Sequence, residues 1–305
     1  MLDLILEYWA KRPRLTHRRW RWLGYALTIG AILYLGYALV QGELRLDQIN
    51  WEDYWLALLI TAGLYLLSLL IQFLIWARMI SFFRKVSWKD AEIYARMTMM
   101  RSIPGGAWHW VGRISMYSGM TDLPTTKVIF GNFLEWSLLI LGGIGMYFAL
   151  DQSLLLRLTV TPVILGAAMA LASAWQPKQR NLFHRLWESG VWLFLYSIVW
   201  ILGGSILFLF VQAVSGNESF TWLESLRVWS LSGSMSMLII FLPSSLGIRE
   251  ISLIWLLQPT TTISAALLIA LIIRIVFTIA DAIWGLLGWL FIGTIQKGFS
   301  LFPNA

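Results

Sequence analysis

The chain of 305 residues is 58% hydrophobic and only 13% charged, with a mean hydropathy of +0.70. A soluble domain carries about a quarter charged residues, so this composition excludes one and points to a polytopic membrane protein. The net charge of +7 does not mark a nucleic-acid face, because the basic residues sit in short loops between apolar runs; the lack of cysteine excludes disulfides, thiolate metal sites and cysteine nucleophiles.

Residues 1–21 come first. Leu2, Ile5, Leu6 and Trp9 share one helical face with Asp3 and Glu7 opposite, which predicts an interfacial helix. Lys11, Arg12, Arg14, Arg18, Arg19 and Arg21 follow and place the N-terminus in the cytoplasm. Acidic residues ahead of this basic stretch, and no A-x-A-like site after the first apolar run, argue against a cleaved signal peptide.

Apolar runs long enough to cross about 30 Å of hydrocarbon then fall at 22–40, 54–77, 128–150, 158–175, 190–213 and 263–294. Two further stretches, 91–118 and 228–256, are broken by Pro, Gly and charge and are expected to be re-entrant hairpins. The loops agree with that count. Glu43, Asp47, Glu52 and Asp53 lie outside; Arg78, Arg84, Lys85 and Lys89 return the chain to the cytoplasm; Lys178, Arg180 and Arg185 mark another inner loop. The expected fold is therefore all-α, with six transmembrane helices and two re-entrant hairpins. The C-terminal tail, 296–305, is expected in the cytoplasm of a bacterial-type cytoplasmic membrane.

The pattern also repeats. Pro104-Gly105-Gly106 leads to Arg113, Pro124-Thr125-Thr126 and a span with Glu135; Pro243 leads through Gly247 to Arg249, Pro259-Thr260-Thr261 and a span with Arg274 and Asp281. Arg113 precedes Pro124 by eleven positions and Arg249 precedes Pro259 by ten. Each copy, 22–150 and 151–295, holds an odd number of crossings, so the second is expected to be inverted.

Irregular backbone inside a bilayer must be satisfied by protein or water, so the breaks imply a polar cavity. The run Arg101 to Arg113 reads RSIPGGAWHWVGR. Its helix beginning near Ala107 aims backbone amides at that cavity, and guanidinium is the preferred fork for phosphate. Arg101, Pro104, Gly105, Gly106, Trp108, His109 and Arg113 are the first set of headgroup candidates; Gly247, Arg249 and Arg274 are the second. Glu135, Glu250 and Asp281 would balance charge or carry a proton. Substituting Arg113 or Arg249 is expected to damage ligand binding more than folding. The alternatives are that Arg101 and Arg113 anchor at lipid headgroups and that Arg249 with Glu250 is a structural ion pair. The histidines, at 17, 109 and 184, do not cluster in sequence, and no metal or cofactor is expected.

At these residues the chain resembles the lysylphosphatidylglycerol synthase transmembrane, flippase-like family. S-I-P-G-G-A-W-H-W-V-G-R is similar to its Y-x-P-G-K-x-W-x-x-x-G-R motif, and L-P-S-S-L-G-I-R-E to its P-x-G-x-G-x-R-E element. Glu135 and Arg274 fall where that family places an intramembrane Glu and Arg. Ser244-Ser245 depart from its glycine-rich turn, and the soluble aminoacyl-transfer domain of the bifunctional members is not expected. The resemblance implies movement of an anionic or lipid-linked headgroup between leaflets, without lysyl transfer. Its partners would be a membrane lipid and a second copy or a synthase. The rival readings are a membrane-embedded enzyme using Glu135 or Glu250 as acid or base, and a non-transporting accessory subunit.

Overall fold

The computed structural model of the protein describes residues 51–102, 108–120, 123–151, 153–176, 181–238 and 248–292. The expected interfacial helix, the first span at 22–40 and the C-terminal tail lie outside them. The described residues form helices and turns, with no strand among them. In chain order they are α1 (Trp51–Ser81), α2 (Trp88–Thr98) with a 3-10 turn Met99–Ser102, α3 (Trp108–Met120), α4 (Thr125–Ala149), α5 (Leu154–Trp175), α6 (Leu182–Ser215), α7 (Trp222–Leu238), α8 (Ile248–Leu257) and α9 (Ile263–Leu287). A π-helical turn, Gly288–Ile292, continues α9.

Five of these helices, α1, α4, α5, α6 and α9, are long and apolar enough to cross a membrane. They fall on the runs expected at 54–77, 128–150, 158–175, 190–213 and 263–294, so the chain is an all-α, multi-pass membrane protein. The helix ends run beyond several of the apolar runs. At 34 residues α6 reaches about 51 Å, well past the hydrocarbon, because its first turns carry His184, Arg185 and Glu188 at a polar end. Within the two stretches expected to be broken, the described residues form four short helices. At 11 and 13 residues α2 and α3 reach about 16 and 20 Å, and at 17 and 10 residues α7 and α8 reach about 26 and 15 Å.

Local chemistry sets the boundaries. Asn181 caps α6 by accepting from the His184 amide at 2.8 Å, and Gly216, at φ 58°, ends it in the left-handed conformation that other residues resist. Ser153 and Thr262 cap α5 and α9. The first helix of each broken stretch starts on the same device. The Ser87 amide donates to the Asp90 carboxylate at 2.7 Å, and the Thr221 amide donates to Glu224 at 2.7 Å.

Contacts sort these boundaries onto two ends of the bundle. At one end, Trp175 donates to the carbonyl of Met79 (3.3 Å), Arg78 makes a two-bond fork to Glu188 (2.7 Å each), and Lys127 lies 4.6 Å over the ring of Phe83. The chain thus leaves α1 and starts α4 at the same end. At the other end, Arg227 donates to Asp151 (2.9 Å) and Asn217 donates to the carbonyl of Thr260 (2.7 Å). There the chain leaves α6 and starts α9.

Helix neighbours also pair off between the halves. α1 packs on α6; α2 packs on α9 as α7 packs on α4; α2 on α3 matches α7 on α8; and α3 on α4 matches α8 on α9. The contacts of α1 with α9, α2 and α4 are likewise mirrored by those of α6 with α4, α7 and α9. Small residues permit the tightest crossings, as is usual where lipid gives no hydrophobic drive between helices. A methyl group on Gly143 of α4 or Gly233 of α7 would lie 2.6 Å from the ring of Trp200, and one on Gly285 or Gly288 of α9 would collide with Met99 or Ala95. Two apolar clusters fill the interior, one around Trp76, Tyr94, Trp192 and Tyr196, the other around Trp200, Phe210, Trp229 and Ile269.

Candidate functional site

Both broken stretches border one cavity of about 320 Å³. Its wall takes Tyr65, Ser68 and Gln72 from α1, Arg101 from the 3-10 turn, and His109 and Trp110 from α3. Glu135 and Trp136 come from α4, Trp229 from α7, Arg249 and Glu250 from α8, and Arg274, Phe277 and Asp281 from α9. Seven of the charged or titratable residues singled out in the sequence therefore meet in one place: Arg101, His109, Glu135, Arg249, Glu250, Arg274 and Asp281. Residues 148 positions apart in sequence, Arg101 and Arg249, share a single wall.

Arg113 stands apart. It is 1% exposed and is not among the described residues of the wall. Its Nη1 donates to Glu135 Oε2 at 2.6 Å and to Asn132 Oδ1 at 2.9 Å. Its guanidinium lies 4.3 Å from the Trp76 ring centroid and 4.5 Å from that of Tyr94. This arginine holds Glu135 from behind. The other carboxylate oxygen of Glu135 accepts from the Tyr94 hydroxyl at 3.0 Å, and that hydroxyl in turn accepts a long bond, 3.4 Å, from Arg101 Nη2. Arg101 Nη1 donates to Gln72 Oε1 at 3.0 Å. The first half thus places a buried ion pair with Glu135 at the wall and Arg113 behind it, and leaves the Arg101 guanidinium on neutral oxygens at the surface of the wall.

The second half reverses the polarity. Here the short helix α8 supplies the carboxylate, Glu250, and the long helix α9 supplies the guanidinium, Arg274, in a direct ion pair. The Arg274 side chain keeps 28% of its exposure. Arg249, one residue before Glu250, turns to the aromatic wall instead: its guanidinium carbon is 4.1 Å from the Trp229 ring centroid and 5.5 Å from that of Phe277. Among the described residues its buried Nε has no hydrogen-bond partner and no carboxylate pairs with it. Asp281 accepts from the Tyr65 hydroxyl at 2.9 Å, and Tyr65 stacks on Phe277 at 3.7 Å.

Pro104, Gly105, Gly106 and Gly247 lie outside the described residues. Trp108 is 46% exposed and is not among the described residues of the wall. Sequence reasoning passed over Tyr65, Gln72, Tyr94 and Trp229. A signal existed for the α1 set: Tyr65, Ser68 and Gln72 recur every three or four residues along an otherwise apolar helix, which is a polar stripe on one face.

Such a site can bind an anion through two guanidiniums and lay carbon groups on the faces of Trp229 and Phe277. Isolated charges at this depth are costly, and these arginines are held by π-faces and neutral oxygens. No protein-family model matches the chain, and no curated protein sequence matches it.

Proposed function

We propose that this chain is a lipid translocase of the flippase-like kind, moving an anionic phospholipid or lipid-linked headgroup across the cytoplasmic membrane. The observation that carries the reading is the cavity shared by Arg101 and Arg249, two guanidiniums that pair with no carboxylate of the described residues. Their sequence separation and the paired packing of the halves suit a site at the interface of two repeats. A cavity of about 320 Å³ is at the small end of ligand pockets, which suits a headgroup with its chains left in the bilayer.

In this reading α2 with α3, and α7 with α8, are re-entrant hairpins. Support comes from the bundle ends: α1 stops where α4 starts, and α6 stops where α9 starts. The end with Arg78, Arg84, Lys85 and Lys127 is cytoplasmic by its charge. Arg101 and Arg249 engage the phosphate and Arg274 assists them. Arg113 positions Glu135, while Glu250 and Asp281 balance charge.

The test is translocation in vesicles containing the purified protein and a trace of fluorescent phosphatidylglycerol. Wild type is expected to equilibrate the probe between leaflets, and Arg101→Gln and Arg249→Gln to lose most of that rate while remaining monodisperse. No translocation by wild type, with product formed from a labelled lipid-linked sugar, would turn the reading to the embedded enzyme. Topology is checked with single cysteines: Glu218→Cys labels from outside, and Lys85→Cys and Thr126→Cys only after permeabilisation. External labelling at Thr126→Cys makes the first broken stretch a full crossing.

A further inference from the structure

We infer that the cavity selects a phosphodiester monoanion over both dianionic and zwitterionic headgroups, because the arginines and carboxylates among its described residues leave one positive charge in excess. The inference rests on the reading of the cavity as a headgroup site. Among the described residues, four guanidiniums belong to the cluster: Arg101, Arg249 and Arg274 in the wall and Arg113 in contact behind it. Three carboxylates of the described residues oppose them: Glu135, Glu250 and Asp281. Two of the four guanidiniums are neutralised locally, Arg113 by Glu135 and Arg274 by Glu250. Asp281, bonded to Tyr65, offsets one more without pairing directly to Arg101 or Arg249. The stretches 103–107 and 239–247, which join the short helices, contain no charged residue, so they add nothing to this balance.

The electrostatics then decide the ligand. In a poorly solvated cavity, uncompensated charge is what is expensive, and pairing restores part of the lost hydration. A monoanion brings the cluster to neutrality. A dianion overshoots by one and leaves an unmatched negative charge beside Glu135 and Asp281. A zwitterion leaves the positive excess where it was and adds a cationic group near the same guanidiniums. The phosphate is held by the forks of Arg101 and Arg249, which approach from opposite halves, and the first carbons of the headgroup lie on Trp229 and Phe277.

Binding is read by quenching of tryptophan fluorescence in detergent-purified full-length protein at about pH 8, where a phosphomonoester, with its second pKa near about 6, is a dianion. The probes are dihexanoyl phosphatidylglycerol, dihexanoyl phosphatidate and dihexanoyl phosphatidylcholine, with glycerophosphoglycerol as the same diester without chains. The monoanion is expected to bind at least about tenfold more tightly than phosphatidate or phosphatidylcholine. Asp281→Asn raises the excess to two and is expected to shift preference toward phosphatidate; Arg249→Gln removes the excess and is expected to bring phosphatidylcholine level with phosphatidylglycerol. Glycerophosphoglycerol binding about tenfold more weakly than the lipid identifies a membrane ligand, and equal binding a soluble diester; both keep the monoanion rule. Equal affinity for all three lipids, tighter binding of phosphatidate by wild type, or no binding of any probe overturns it. Translocation without charge preference overturns the rule and leaves the translocase standing, whereas monoanion binding without translocation does the reverse.

Discussion

The two halves of this protein tie a short helix to the following long one by the same kind of bond drawn in opposite directions. In the first half the arginine is on the short helix and the glutamate on the long one, and Arg113 and Glu135 are buried to 1% and 5% side-chain exposure. In the second half the glutamate is on the short helix, and Arg274 and Glu250 keep 28% and 11%. The difference separates scaffold from site. A pair sealed from water is hard to disrupt without destabilising the fold, whereas a pair at the cavity wall can exchange partners with a ligand. Reversing the polarity also frees the arginine beside Glu250, so Arg249 reaches the Trp229 face that Arg113, enclosed by Trp76 and Tyr94, cannot offer to a ligand.

This contrast breaks most sharply at Glu135. Glu135→Gln leaves Arg113 buried without its counter-charge and is expected to destabilise the protein by about 3–5 kcal/mol. Thermal unfolding in detergent measures it, and the joint change Arg113→Met with Glu135→Leu is expected to recover most of the loss. A Glu135→Gln variant as stable as wild type would mean that water reaches Arg113, and the scaffold role would be lost.

The helix crossings give the next largest effect. Gly143→Ala forces a methyl against Ser234 Oγ and the flat, hydrogen-bonded ring of Trp200 and is expected to cost about 1–3 kcal/mol. Gly285→Ala, on α9, meets Cγ and Sδ of the unbranched Met99 side chain, which a rotamer change can move, and is expected to cost less than Gly143→Ala. Equal losses at the two sites would show that side-chain flexibility does not distinguish these crossings.

Glu250→Gln acts on a pair less enclosed than Arg113 with Glu135, so the expected loss is smaller, about 1 kcal/mol, with a larger change in ligand affinity than in stability. Chemical denaturation together with lipid binding separates the two quantities. A loss as large as that of Glu135→Gln would erase the distinction between the halves.

The smallest stability effect is expected at Arg249. Arg249→Gln loses a cation–π contact of about 0.5–1 kcal/mol while translocation falls by at least about tenfold. Arg113→Gln, by contrast, is expected to lower stability first. Unchanged transport by Arg249→Gln would identify that arginine as a structural partner of Trp229.

Much of this architecture was legible in the sequence, because a bilayer makes its demands locally. About twenty apolar residues in a row must be a crossing helix, and Pro, Gly and charge must interrupt one. That reasoning located α1, α4, α5, α6 and α9, and it drew attention to Glu135, Arg249 and Arg274 as charges that an apolar setting must accommodate. It treated Arg113 and Arg249 alike, since each follows a glycine-containing break and precedes a Pro-Thr-Thr turn. Composition and spacing thus determined that the chain crosses a membrane, where its helices run and which residues are out of place in hydrocarbon. Only the tertiary structure decided which arginine meets which carboxylate. That choice depends on how α3 is rotated against α4 and α8 against α9, and rotation is set by packing across the bundle, around Trp76, Trp200 and the close-approach glycines, which no local pattern encodes.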